Sequence, residues 1–115
     1  MSRTISSLVG EPLSQLNAEV TAAGATLAPT GDPQAVRAAT DRALGAAAAI
    51  AALDDADLLC EPAHDPRALR RAHETLCAAR TTALALAVPT GSVEGIDAVL
   101  QAIAKGLDTK RVPSA

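Results

Sequence analysis

The sequence predicts an all-α protein that folds as a small antiparallel four-helix bundle in up-down-up-down order. Alanine, the strongest helix former, makes up about a quarter of the 115 residues. Four stretches place apolar residues at the 3.6-residue period of an amphipathic helix. Short turns that contain proline or glycine separate these stretches, and short connections favour sequential helices that run in opposite directions.

The first helix is expected from Ile5 to about Ala28. One face of this stretch is apolar and consists of Ile5, Leu8, Val9, Leu13, Leu16, Val20 and Leu27. Gly10, Glu11 and Pro12 interrupt it. A proline inside a helix costs about 3 kcal/mol, because it lacks the backbone N–H and clashes with the preceding turn. We therefore expect the first helix to be kinked or split at Pro12.

The second helix is expected to open at Asp32-Pro33, with Asp32 as the N-cap and Pro33 at the first helical position. Its predicted buried stripe consists of Val36, Ala39, Ala43, Leu44, Ala47, Ile50 and Leu53. Gly45 would let another backbone come very close. Asp54, Asp55 and Asp57 end the stretch, where the helix dipole favours cations. These acids are expected to weaken the last turn or to bind a positive group.

The third helix is expected to open in the same way at Asp65-Pro66 and to end before Pro89. Its predicted inner stripe consists of Leu69, Ala72, Leu76, Ala79, Ala83 and Leu86. Charged residues on the opposite side indicate a solvated face. The repeated Asp-Pro pair therefore locates the start of this helix.

Ser92 is expected to cap the fourth helix, which has the most regular stripe of the chain. That stripe consists of Val93, Ile96, Val99, Leu100, Ile103 and Leu107. Lys105 and Gly106 are typical of a helix C-terminus, so we expect the helix to end there. Residues 1–107 would then form a single domain, and residues 108–115, which have nothing to bury, a flexible tail.

The core of such a bundle is thin. The chain has no Phe, Tyr or Trp, and a buried methyl group contributes at most about 0.8 kcal/mol, against about 1.5–3 kcal/mol for a buried Leu, Ile or Val. We therefore expect an oligomer, or a subunit that gains stability from a protein partner. The alanine-rich helix faces would carry this contact, and Ala46 to Ala49 on the second helix are the first candidates.

Charge and composition argue against several functions. A formal net charge of −3 and a pI near 5.2 disfavour binding to nucleic acid or to an anionic membrane. The longest apolar run, Ala43 to Leu53, is about half of the ~20 residues that a membrane span requires. We see no secretory signal and expect a cytoplasmic protein. Without aromatic residues or a recognisable catalytic constellation, we do not expect an enzyme.

One short stretch holds both cysteines and both histidines of the chain. Cys60 and His64 are four residues apart, and so are His73 and Cys77. Residues four apart on a helix lie on one face, and two sulfurs with two nitrogens form a tetrahedral ligand set that suits zinc. The alternatives are a Cys60–Cys77 disulfide and two unbound thiols that pack as small hydrophobic side chains.

His73 also suggests a different chemistry. It precedes Glu74 on the predicted third helix, and imidazole is nucleophilic near neutral pH. The run RALRRAHETL, from Arg67 to Leu76, resembles the phosphoacceptor box of sensor histidine kinases, without the proline or glycine that follows in the commoner versions. The resemblance implies a histidine phosphotransfer partner that a separate kinase would serve.

Taken together, these patterns favour a small helical interaction or assembly module, either homo-oligomeric or an accessory subunit of a larger complex. A zinc-binding or zinc-sensing protein is the alternative, with Cys60, His64, His73 and Cys77 as ligands. Phosphotransfer through His73 is the second alternative.

Overall fold

The computed structural model describes residues 3–25 and 33–111. In these ranges the chain is compact and all-helical, with α1 (Ile5–Ala25), α2 (Pro33–Asp55), α3 (Pro66–Ala85) and α4 (Thr90–Arg111). They contain no strand, and an isolated β-bridge joins Thr4 to Pro62. The prediction of an all-α chain with four helices is confirmed. The predicted caps and ends that fall on residues 26–32 and 112–115 lie outside the described residues.

Helix α1 is one continuous helix through Pro12, so of the predicted alternatives, a kink or a split, the split is wrong. Pro12 has no N–H to give to the Leu8 carbonyl, which removes one bond of the helical ladder. Val9 and Leu16, on either side of the proline, are both buried in the same core. Continuing the helix buries both side chains, and this burial outweighs the lost bond.

The closest contact of the bundle is between α2 and α4, which are the two helices most extensively packed together. Three glycines make it possible. A Cβ atom at Gly95 would lie 2.7 Å from the Ala46 nitrogen, and one at Gly91 would lie 2.8 Å from the Asp41 Cβ. A Cβ atom at Gly45 would collide with the Ser92 backbone. The expectation that Gly45 admits another backbone is confirmed.

The other two helices flank this pair. Helix α1 packs mainly on α2 and less on α4, and α3 packs mainly on α4 and less on α2. The core between them combines branched side chains with alanines. It consists of Ile5, Val9, Leu16, Ala39, Ala43, Ala46, Ala49, Leu53, Leu58, Ala68, Leu69, Ala72, Leu76, Ala83, Val93, Ile96, Val99 and Ile103.

The buried face of α2 is rotated from the predicted one. Leu44 is 60% exposed and Ala47 is exposed, whereas Ala46 and Ala49 are fully buried. The prediction that Leu44 and Ala47 are buried is therefore wrong. Ala49 lies one turn after Gly45 and so shares its face toward α4, and Gly95 of α4 lies against the Ala46 backbone, so both alanines are turned inward.

Helices α2 and α3 end in the same hydrogen-bond pattern. Leu58 N–H donates to the Leu53 carbonyl (3.0 Å), and Val88 N–H donates to the Ala83 carbonyl (3.2 Å). The residue before each donor, Asp57 or Ala87, has a positive φ, of 58° and 56° respectively. This is the Schellman motif, which satisfies the last carbonyls of a helix. Leu58, 1% exposed, packs into the core directly after the turn.

The start of α3 agrees with the prediction, but the burial predicted at its end does not. Helix α3 starts at Pro66 as predicted, and the Asp65 carboxylate accepts a hydrogen bond from the Arg67 N–H at 3.0 Å. Leu86, predicted to be buried, is 70% exposed, because α3 has already ended at Ala85.

Helix α4 differs from its prediction at both ends. It starts at Thr90, two residues before the predicted cap Ser92. Pro89 supplies the carbonyl that accepts from the Ser92 N–H at 2.9 Å, so Ser92 already lies in the first turn. At the other end the helix continues past Gly106 to Arg111. Residues 108–111, predicted as part of a flexible tail, are therefore helical.

Candidate functional site

The turn that carries Cys60 and His64 is fastened to the start of α1. Ile5 N–H donates to the Glu61 carbonyl and Ser6 N–H donates to the Leu59 carbonyl, both at 2.9 Å. The first N–H groups of a helix have no acceptor within it, so the carbonyl groups of the turn provide the hydrogen-bond acceptors that α1 lacks. Cys60 and His64 are exposed on this turn.

His73 and Cys77 lie together on α3. The Cys77 Sγ is 3.7 Å from the His73 Nδ1. Cys77 is exposed and His73 is half-buried. The four-residue spacing places the two side chains one above the other on the helix, as the sequence predicted.

The structure does not assemble the predicted set of four ligands. Among the side chains described in the structure, no three His, Cys, Asp or Glu groups are placed to share a metal ion. Cys60 and His64 are fixed to the start of α1, whereas His73 lies about 10 Å along α3 from Pro66 at 1.5 Å per residue. Both cysteines are free, so the Cys60–Cys77 disulfide is wrong.

The outer face of α2 is the main exposed apolar feature of that helix. We define it as the exposed residues Leu44, Ala47, Ala48 and Ala51. Of the predicted surface from Ala46 to Ala49, only Ala47 and Ala48 reach it. The small neighbours leave Leu44 raised above a flat surface, and no other described helix covers it. The sequence alone missed this face because it assigned Leu44 to the core.

Two other leucines are also exposed, at the end of α3. Leu84 is 54% exposed and Leu86 is 70% exposed. They lie beside the Ala87 turn, where the helix stops. Single exposed leucines are common on protein surfaces. Leu86 therefore serves as a reference for the effect of an exposed leucine that lies outside the outer face of α2.

Ion pairs join the helices at the surface. Arg42 on α2 reaches Glu19 on α1 at 3.2 Å and Glu94 on α4 at 3.7 Å. Arg80 on α3 contacts Asp97 on α4 at 2.6 Å. All five side chains are between about one-third and one-half exposed, so water screens them and each pair contributes at most about 1 kcal/mol. We assign them a structural role.

An open cleft of about 400 Å³ lies between α1 and α4. On the α4 side its wall is made by Ala98, Ala102 and Gly106, which are spaced four residues apart. Small residues at this spacing leave one line of a helix without bulk, and this is the sequence signal that could have predicted the cleft. Glu11 and Lys105 lie at its sides.

Comparison with known proteins provides no identity. No protein-family model matches the chain, and no curated protein or solved structure matches it either. Among the described helices, none is both long enough and apolar enough to cross a membrane. Function must therefore be argued from the surface itself.

Proposed function

We propose that this protein is a helical interaction module that associates with a second copy of itself through the outer face of α2. The observation that carries the proposal is Leu44, which is 60% exposed at the N-terminal edge of a surface formed with Ala47, Ala48 and Ala51. A large exposed apolar side chain beside a flat apolar surface is typical of an interface that is covered in the assembled state.

The proposal includes the antiparallel arrangement of the bundle. It is supported by the order of contacts between α3 and α4. Arg80 contacts Asp97, whereas Leu69, earlier in α3, lies beside Gly106, later in α4. The bonds from Ile5 to the turn after α2 and from Arg42 to Glu19 support the same order for α1 and α2. In this arrangement α2 and α4 run in the same direction, and the outer face of α2 points away from the bundle.

The energy available is enough for a weak dimer. Burying the exposed part of one Leu44 is worth about 1–2 kcal/mol, and two copies contribute twice that amount. Alanines around it allow the two helices to approach to the lower end of the 8–10 Å range. Because association also costs several kcal/mol of motional freedom, which offsets most of this gain, we expect a weak dissociation constant, in the millimolar range.

Sedimentation equilibrium on the wild type and two matched variants tests the proposal. Leu44→Glu places a charge in the interface and should weaken the dimer by at least about thirtyfold. Leu86→Glu makes the same change at a more exposed leucine and should leave the dimer unchanged. A wild type that stays monomeric up to about 1 mM, or an equal loss of dimer affinity in both variants, would contradict the proposal.

Zinc binding is the second candidate function, and the His73–Cys77 pair favours it. Two ligands of one tetrahedral zinc, with Zn–S and Zn–N bonds of about 2.3 and 2.05 Å, lie about 3.6 Å apart. The Sγ and Nδ1 atoms are 3.7 Å apart. Calorimetric titration with zinc should show binding to the wild type, loss in Cys77→Ser, and no change in Cys60→Ser if the pair alone is responsible.

Phosphotransfer through His73 and a cytoplasmic location remain proposals. Phosphotransfer through His73 predicts a phosphohistidine after incubation with a phosphodonor, and mass spectrometry of the wild type and His73→Ala would detect it. The half-buried position of His73 beside Cys77 does not favour this reaction. We also propose a cytoplasmic location, which two free thiols suit.

A further inference from the structure

A single line of residues runs along the middle of the α2 surface and has a charge at each end. Arg37 and Asp55 are 18 residues apart, which is five turns of 3.6 residues, so they lie on the same line of the helix. Leu44 and Ala48 lie between them, about 20° to either side of that line. All four residues are exposed.

The spacing along this line is symmetric. Leu44 is seven positions after Arg37, Ala48 is four positions after Leu44, and Asp55 is seven positions after Ala48. The midpoint of the outer pair and that of the inner pair are the same residue position, 46. If a second α2 lies antiparallel on the first with its centre at this position, each residue of the line faces its mirror position. Leu44 then lies against Ala48, and Arg37 against Asp55.

We propose that two copies pair through antiparallel α2 helices in this register, with Arg37 of each copy bound to Asp55 of the other and Leu44 packed on Ala48. The proposal rests on the self-association proposed above and specifies its geometry. The occupant of the face is a second copy, because a two-fold interface must be complementary to itself and this line of residues is self-complementary.

The charges support the register independently of the apolar residues. Among the side chains that the structure describes, neither Arg37 nor Asp55 takes part in an ion pair. Asp55 also lies at the C-terminal end of α2, where a negative charge is unfavourable to its own helix. In the antiparallel pair this end lies beside the N-terminus of the second α2, which attracts it. The pairing therefore accounts for an acid at an otherwise unfavourable position.

The test is charge exchange, measured by sedimentation equilibrium at low salt. Arg37→Asp and Asp55→Arg each replace two symmetric attractions by two repulsions, and each should weaken the dimer about tenfold. The two substitutions in one chain exchange the charges and should restore the wild-type dissociation constant. High salt should reduce the effect of each single variant, because the charges are exposed and screened.

Matched controls separate the register from a general effect of charge. Asp54→Arg changes the net charge as Asp55→Arg does, but Asp54 lies about 100° around the helix from the line, so the dimer should be unaffected. Arg71→Asp on α3 is the control for Arg37→Asp. Circular dichroism should show the same helix content in all variants, since every substituted side chain is exposed.

The outcomes distinguish this register from self-association in general. If the single variants weaken the dimer and the exchange does not restore it, or if Asp54→Arg weakens it equally, the register is wrong while the association stands. If Leu44→Glu weakens the dimer and none of the charge variants does, the register is also wrong. A monomeric wild type overturns both proposals.

Discussion

Replacing Gly95 by alanine should destabilise the protein even though alanine is the better helix former. Gly95 is buried against α2, where a Cβ atom would lie 2.7 Å from the Ala46 nitrogen and closer still to the Arg42 carbonyl oxygen. Both neighbours are backbone atoms. No rotamer change can make room, so α2 and α4 must separate.

The size of the effect follows from two opposing contributions. Overfilling a packed contact costs about 1–3 kcal/mol, and a backbone-to-backbone collision belongs at the upper end of this range. The gain in helix propensity from Gly to Ala is about 1 kcal/mol. The net loss in the free energy of unfolding should therefore be about 2 kcal/mol. For a chain of this size, the melting temperature should fall by about 8 °C.

Urea denaturation followed by circular dichroism at 222 nm measures this loss, with Gly10→Ala as the control. A Cβ atom at Gly10 meets nothing within 4 Å, so this variant should gain up to about 1 kcal/mol. With a slope of about 2 kcal/mol per M, Gly95→Ala should lower the urea midpoint by about 1 M. If Gly95→Ala is as stable as Gly10→Ala, the close contact between α2 and α4 does not exist.

Three further changes test the core and the caps by the same denaturation assay. Leu76→Ala, at a fully buried position, should lower the free energy of unfolding by about 3 kcal/mol. The control Leu86→Ala, at a position that is 70% exposed, should lower it by less than about 0.5 kcal/mol. Equal losses in the two variants would contradict the core assignment. Ala87→Gly should stabilise the protein by about 0.5–1 kcal/mol, because glycine adopts the φ of 56° without strain, and a loss would contradict this backbone conformation. Asp65→Ala should cost about 1 kcal/mol through the lost cap of α3, and an unchanged midpoint would show that the cap does not stabilise the helix.

The sequence was sufficient to predict the helices but not the rotation of α2. Asp65 and Pro66 have a local chemical role, and they locate the start of α3 without any tertiary information. The rotation of α2 depends on contrast between apolar and polar positions, and a helix with alanine on most sides has little contrast. Leu44 was therefore placed in the core, although the structure exposes it.

The glycines indicate the contact between α2 and α4, which the apolar stripes do not. Gly91 and Gly95 are four residues apart, and together with Gly45 they identify the contact between α2 and α4. Small residues at this spacing indicate close helix packing as readily as they indicate a loop. Considering these three glycines together would have oriented α2 correctly and shown Leu44 to be exposed.

The candidate sites were predictable only where they are local. His73 and Cys77 lie on one helix, so their proximity follows from helical geometry. Whether Cys60 and His64 approach them depends on the path of the turn, which is determined by hydrogen bonds to the start of α1. Those bonds join residues more than 50 positions apart in the sequence, and no local pattern predicts them.

The concentration dependence of backbone amide chemical shifts, measured by NMR from about 10 µM to about 1 mM, tests the central claim most directly. If a second copy covers the outer face of α2, the amides of Leu44, Ala48 and Ala51 should shift with a single dissociation constant, while those of Leu84 and Leu86 stay fixed. Shifts confined to the end of α3, or no shifts at any concentration, would contradict the claim.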